Sequence, residues 1–108
     1  MVGCRTSGMK NSSTLIHSGR CKLMSVHMVN MSQGHATNSA GNDNIMKFTL
    51  YDNTAGSGTI IGIFMLPAST SLEMDFHGAQ LDKGIYAAID TDPHGATAAT
   101  GGITVNFV

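Results

Sequence analysis

Phe48-Thr49-Leu50-Tyr51-Asp52-Asn53-Thr54-Ala55-Gly56-Ser57-Gly58-Thr59-Ile60-Ile61 reads as two strands joined by a turn. Phe48 and Leu50 alternate with Thr49 and Tyr51, the two-residue period of a half-buried strand. The Asp-Asn-Thr-Ala-Gly-Ser-Gly run that follows is turn chemistry. Asp and Asn side chains bond the backbone two residues on, and Gly takes a positive φ without steric cost. A second apolar strand begins at once, so the segment is a β-hairpin with a slightly long loop.

The same grammar extends to both sides. Upstream, Cys21–Met31 has no clearly polar face, as suits a central strand covered on both sides. A long polar loop, Ser32–Asn44, leads into strand Ile45–Asp52, where Met46, Phe48 and Leu50 share one face. Downstream, Thr59–Leu66 is apolar on both faces and ends at Pro67, which lacks a ladder donor. Strand Ser71–His77 sets Leu72, Met74 and Phe76 inward against Glu73, Asp75 and His77 outward, and residues 78–83 read as a turn. Gly84–Asp90 turns Ile85, Ala87 and Ile89 inward, Thr91–Gly102 is a second long polar loop, and Ile103–Val108 buries Ile103, Val105 and Phe107. No amphipathic helix of useful length and no internal repeat interrupts this pattern. The fold class is therefore all-β: an antiparallel β-sandwich, jelly-roll or Ig-like, of six to seven strands, with a small barrel as the alternative arrangement.

Residues 1–19 are rich in Gly, Ser and Asn and carry no sustained period. They read as an extended N-terminal arm with at most one short strand near Ser13–His17, ahead of a sandwich domain over 20–108. Deleting residues 2–16 is expected to leave that domain folded.

Composition narrows the function. The chain has 108 residues, one domain's worth, and a formal net charge of −1. Charged residues make up 12 %, about half the ~25 % usual in soluble domains, so self-repulsion between copies is weak. No Lys/Arg cluster exists beyond Arg20 and Lys22, so nucleic acid has no electrostatic footprint. No apolar run approaches the ~20 residues of a membrane span. The first nineteen residues lack the apolar core of a signal peptide, so synthesis in a cytoplasm without secretory export is expected. Cys4 and Cys21 leave three readings open: two free thiols, a bridge tying the arm to the first strand, or an intermolecular bond.

Candidate chemistry is thin. None of His17, His27, His35, His77 and His94 forms a tight pair with Cys or Glu at ligand spacing, although His77 and Asp75 share a strand face. Asp90-Thr91-Asp92 opens like an oxygen-ligand loop, but no bidentate Glu follows. Gly56-Ser57-Gly58 is a hairpin loop rather than a strand-to-helix nucleophile elbow. Glu73 is the only glutamate, which leaves no obvious pair of catalytic carboxylates. No enzyme activity, cofactor or metal is expected. Five of the eight methionines, Met24, Met28, Met46, Met65 and Met74, fall in strands as core filler or as adaptable contacts on outer faces. Strands 21–31 and 59–66 both look apolar on two sides, and one core cannot absorb all of that, so one apolar face is left for neighbours to cover.

The order Lys22-Leu23-Met24-Ser25-Val26, Lys47-Phe48-Thr49-Leu50-Tyr51-Asp52-Asn53, Gly58-Thr59, Pro67-Ala68, Asp75-Phe76, Lys83-Gly84-Ile85-Tyr86 and Ile103-Thr104-Val105 resembles small β-sandwich virion structural proteins of tailed bacteriophages, over about residues 20–108. The resemblance implies a non-enzymatic virion component. The expectation is a capsid decoration (cement) protein on the capsid exterior that binds and stabilises the major capsid protein lattice, made in the host cytoplasm. A homo-oligomer follows from that role, with a trimer on a local three-fold axis as the expected form. A neck, tail or fibre accessory component, or a carbohydrate-binding adhesin-type module, is the alternative. The arm lies outside the resemblance. From its composition alone, Val2, Cys4, Arg5, Met9, Lys10, Leu15 and Ile16 are the candidate partner-binding residues.

Overall fold

The computed structural model describes residues 3–32, 44–93 and 99–108. The hairpin read first from the sequence is present. Strand β4 (Met46–Asp52) pairs antiparallel with β5 (Thr59–Leu66), from Met46 opposite Leu66 to Asp52 opposite Thr59. Its loop is closed by Asn53, whose Nδ2 donates to the Ser57 carbonyl at 2.6 Å and whose Oδ1 accepts the Thr54 N–H at 2.9 Å. Gly58 completes the turn at φ 94°, a value that favours glycine.

The remaining strands are β1 (Arg5–Thr6), β2 (Thr14–Ser18), β3 (Cys21–Asn30), β6 (Thr70–Leu81), β7 (Gly84–Asp90) and β8 (Gly101–Phe107). They form two four-stranded antiparallel sheets. The first has the order β1-β8-β3-β6 and the second β2-β7-β4-β5. The β4–β5 hairpin is the one connection that stays within a sheet; every other connection passes from one sheet to the other. Among the described residues there is no helix, and the strands number eight rather than six to seven.

The core lies between the sheets and follows the period-2 pattern, except in β3, where the irregularity at Met24 sets the buried Leu23 and Val26 three residues apart. Leu23, Val26 and Met28 of β3 and Ile103, Val105 and Phe107 of β8 meet Met46, Phe48 and Leu50 of β4 and Ile85 and Ala87 of β7. Full burial of each large side chain is worth about 1.5–3 kcal/mol, which is what holds two sheets together without a helix or a crosslink.

Two expectations need correction. The turn placed at 78–83 is shorter, because β6 runs on to Leu81 and only Asp82 and Lys83 remain to turn the chain. The strand achieves this through a bulge. Ser25 of β3 faces Asp75 and Leu23 faces Ala79, so Phe76, His77 and Gly78 oppose the single residue Met24. His77 at φ 54° and Gly78 at φ 76° supply the bend, and the Asp75 carboxylate fixes it by accepting the His77 N–H at 2.7 Å.

The other correction concerns the N-terminal segment. No free arm is seen among the described residues: β1 adds to the edge of the first sheet beside β8, and β2 adds to the edge of the second beside β7. Between them, Lys10 exchanges two backbone hydrogen bonds of 2.8 Å with Ile103. Serine hydroxyls complete the pairing where the strands stop. Ser7 Oγ accepts the Val105 N–H at 2.8 Å, and Ser13 Oγ accepts the Ile89 N–H at 2.9 Å. Removing residues 2–16 would thus strip an edge from both sheets, and loss of stability, not a clean truncation, is the expected result of that deletion.

The turn between β6 and β7 is tied to the end of β4 by Asp52. Its carboxylate accepts the N–H groups of Asp82, Lys83 and Gly84 at 3.2, 2.9 and 3.3 Å. Burial pushes this carboxyl up, but the three backbone donors and the nearby Lys83 charge outweigh that and hold it below the ordinary value. A lowered folded value means that the stabilisation is present above the ordinary aspartate pKa of about 4 and fades as pH falls through the folded value. Asp52→Asn is expected to cost about 1 kcal/mol at neutral pH. In urea titrations the gap between variant and wild type should close on acidification; a gap that widens in acid would exclude this role for the carboxylate.

Candidate functional site

Three surfaces of the sandwich are candidate sites. The first is the end of the sandwich from which both long loops leave. Their central parts, residues 33–43 with His35 and 94–98 with His94, lie outside the described residues, but their roots are built. Asn30 closes β3 and is buried. Its Nδ2 donates to the carbonyls of Asn44 at 2.5 Å and Leu66 at 2.9 Å, and its Oδ1 accepts the Ser32 N–H at 3.1 Å. Ser32 continues the tie: its Oγ accepts the Thr100 N–H at 2.7 Å, while its carbonyl accepts the Ser69 hydroxyl at 2.9 Å. The two loops therefore rise from one rigid polar knot. Beside it, Met9, Met31 and Thr100 line a cleft of about 320 Å³, with Met31 well exposed.

The second surface is the outside of the first sheet, and it is polar. Asn106, Ser25 and Asp75 form one cross-strand row and Thr104, His27 and Glu73 the next. Asn106 Nδ2 donates to Ser25 Oγ at 3.0 Å. Asn106, Ser25, His27, Glu73 and Asp75, with Met24 and Met74, line a groove of about 480 Å³ beside the β6 bulge. His77 lies 3.5 Å from the Asp75 carboxylate, both of them solvent-exposed. Among the described residues no three His, Cys, Asp or Glu side chains converge as metal ligands.

The third surface is the outside of the second sheet, and it is apolar. Leu15, Tyr86, Tyr51 and Ile60 stand in one row across β2, β7, β4 and β5. Ala88, Thr49 and Ile63 form the next, then Asp90, Lys47 and Met65. Leu15 is 44 % exposed, Ile60 50 %, Ile63 51 % and Met65 44 %, values too high for core and too clustered for scattered surface residues. Opposite charges occur only at one end, on Lys47 and Asp90. Of the two strands read as apolar on both sides, β5 leaves its outer face open, whereas β3 places Ser25 and His27 outside among polar neighbours. The tyrosines do not present an open ring platform. Tyr51 and Tyr86 meet edge to face at 6.5 Å, and the hairpin loop lies against Tyr86 at Gly56.

The candidate partner-binding residues are spread over several of these places. Val2 lies outside the described residues. Cys4, Arg5, Met9 and Lys10 are exposed along the edge beside β8, and Leu15 belongs to the apolar face. Ile16 turns inward at the β2 bulge and packs against the core. His17 likewise faces in, its ring 5.0 Å from that of Phe107.

Both cysteines are free, Cys4 exposed and Cys21 buried. Burial, and then the negative charge of Asp52, push the Cys21 thiol up. A thiol reagent is expected to modify one cysteine per folded chain quickly and the second only on unfolding; Cys4→Ser should remove the fast phase. Two equally fast phases in the native protein would contradict the burial of Cys21.

Comparison of the chain with protein-family models, with curated proteins and with solved structures gives no match. Fold and surface chemistry are left to carry the functional reading.

Proposed function

We propose that this chain is a bacteriophage virion structural protein, a non-enzymatic capsid decoration protein that oligomerises and docks on the outside of the major capsid protein lattice. The observation that carries this reading is the apolar exterior of the second sheet, where Leu15, Ile60, Ile63 and Met65 remain open to solvent in the single chain. Such a face is a contact waiting for a neighbour. The strand order adds support. β1-β8-β3-β6 packed on β2-β7-β4-β5 favours a jelly roll over an Ig-like sandwich in this reading, and jelly rolls serve viral capsids as well as lectins. Few charges and a net charge near zero suit a protein held in contact with many copies of others. Fold alone does not fix function, so the docking surface has to be tested directly.

In this reading the capsid lies against the β2 side of the apolar face, with Leu15 at the centre of the contact. Leu15→Asp places a charge in that contact at a position whose exposure makes folding tolerant of it. Cosedimentation with purified particles is the test. Binding should fall at least tenfold, about 1.4 kcal/mol or more; undiminished binding by a folded Leu15→Asp protein would overturn the docking surface.

A further inference from the structure

We propose that the open edge of β5 pairs antiparallel with β5 of a second copy, joining two second sheets into one continuous sheet across a two-fold axis. The inference deepens the homo-oligomer part of the proposed function and replaces the expected three-fold arrangement.

Four strands end the two sheets: β1, β6, β2 and β5. An edge strand offers a row of unpaired N–H and C=O groups, and proteins that stay apart blunt such rows. Three of the four edges are blunted. β1 is only two residues long. β2 has five residues and a bulge between Leu15 and His17. β6 carries Glu73, Asp75 and His77 and is bent by its bulge at 76–78. β5 is different. It runs for eight residues, Thr59–Leu66, without a charge or a proline. Its one irregularity, the extra residue Ile61 opposite the Leu50–Tyr51 step, leaves Gly62–Leu66 in unbroken register with β4. No described residue pairs with its outer side.

A second copy is the occupant this edge fits. Antiparallel pairing of a strand with itself is two-fold symmetric, so each copy offers the other the same surface and the contact closes without growing into a fibre. With no charge between Asn53 and Leu66, no like charges are brought together. Ile63 and Met65, about half exposed in the single chain, would become cross-strand neighbours of the partner's side chains on the same outer face, adding apolar burial to the backbone bonds. The joined sheets would present two copies of the Leu15 side of the face together, doubling the area offered to a capsid.

Sedimentation velocity of the isolated chain, from micromolar to millimolar, tests the pairing. The expected particle has twice the 11.3 kDa chain mass. The double variant Ile63→Lys, Met65→Lys, on outward positions, should sediment as a folded monomer, while Leu15→Lys should remain paired. Amide exchange separates edge pairing from sheets merely stacked face to face. Amides within residues 62–66 should slow as concentration rises. A monomer at every concentration, a three-fold mass, or a dimer whose β5 amides are indifferent to concentration would each overturn the proposal. A chain that is monomeric yet still cosediments with particles would sink the pairing and leave the virion role standing.

Discussion

Gly84→Ala is expected to lower stability by about 3 kcal/mol or more, an unusually large loss for adding one methyl group. Gly84 opens β7 at φ 147°, in a region open to glycine and closed to other residues. A methyl group there would also run into the carbonyl oxygen of His17 on β2 and crowd the Asn53 carbonyl. Neither obstacle is a flexible side chain that can swing aside. The chain must either shift the start of β7, which also carries the Asp52 tie, or release β2 from the sheet. Denaturant titration measures the loss, and amide exchange over Thr14–Ser18 locates it. A variant within 1 kcal/mol of wild type would mean that β2 is not held against β7 as described.

Asn30→Leu is expected to cost about 3 kcal/mol, although leucine branches at Cγ as asparagine does. The substitution leaves the carbonyls of Asn44 and Leu66 without the Nδ2 donor and the Ser32 N–H without its acceptor. A buried polar group stripped of its partner costs about 1–3 kcal/mol, and the site sits at the base of both long loops, where Ser32 also holds Thr100 and Ser69. Asn30→Asp should be no milder at neutral pH, because a buried carboxylate would face two carbonyl oxygens. Its loss should ease in acid, where the protonated carboxyl regains a donor. A neutral effect of both substitutions in thermal unfolding would show that the loop roots are not braced by this side chain.

What the sequence made legible was periodicity backed by turn chemistry. The Asn53–Gly58 loop announced its hairpin, and Met46, Phe48 and Leu50 announced the core face of β4, because burial on one side imposes an alternation that no other structure shares. The strand bounds Thr59–Leu66 and Gly84–Asp90 emerged unchanged for the same reason. The N-terminal segment reads as an arm because it does not bury a continuous face. It spends two residues in one sheet and five in the other, and between them it relies on Lys10 backbone bonds and on Ser7 and Ser13 hydroxyls. Serine in a glycine-rich stretch carries no signal that distinguishes a strand surrogate from a solvated loop. The end of β6 was hidden by Gly78, which reads as a turn residue and here serves a bulge.

The candidate site was legible only in outline. An excess of apolar residues in Thr59–Leu66 pointed to an uncovered face, and β5 does carry it. The matching excess in Cys21–Met31 disappears because Ser25 and His27 fall on the outer side, a placement set by the bulge at Met24. Leu15 joins the face only through the register of β2 against Tyr86, which depends on long-range pairing. Ile16, one residue on, turns into the core, so a list drawn from the arm's composition could not tell the two apart.

Copy number per particle tests the decoration role most directly. Purified virions resolved on a gel, with this band quantified against the major capsid protein, should show the chain in hundreds of copies, in fixed proportion to the capsid lattice. About a dozen copies would place it at a neck or tail, and its absence from intact particles would end the reading of the apolar sheet face as a capsid contact.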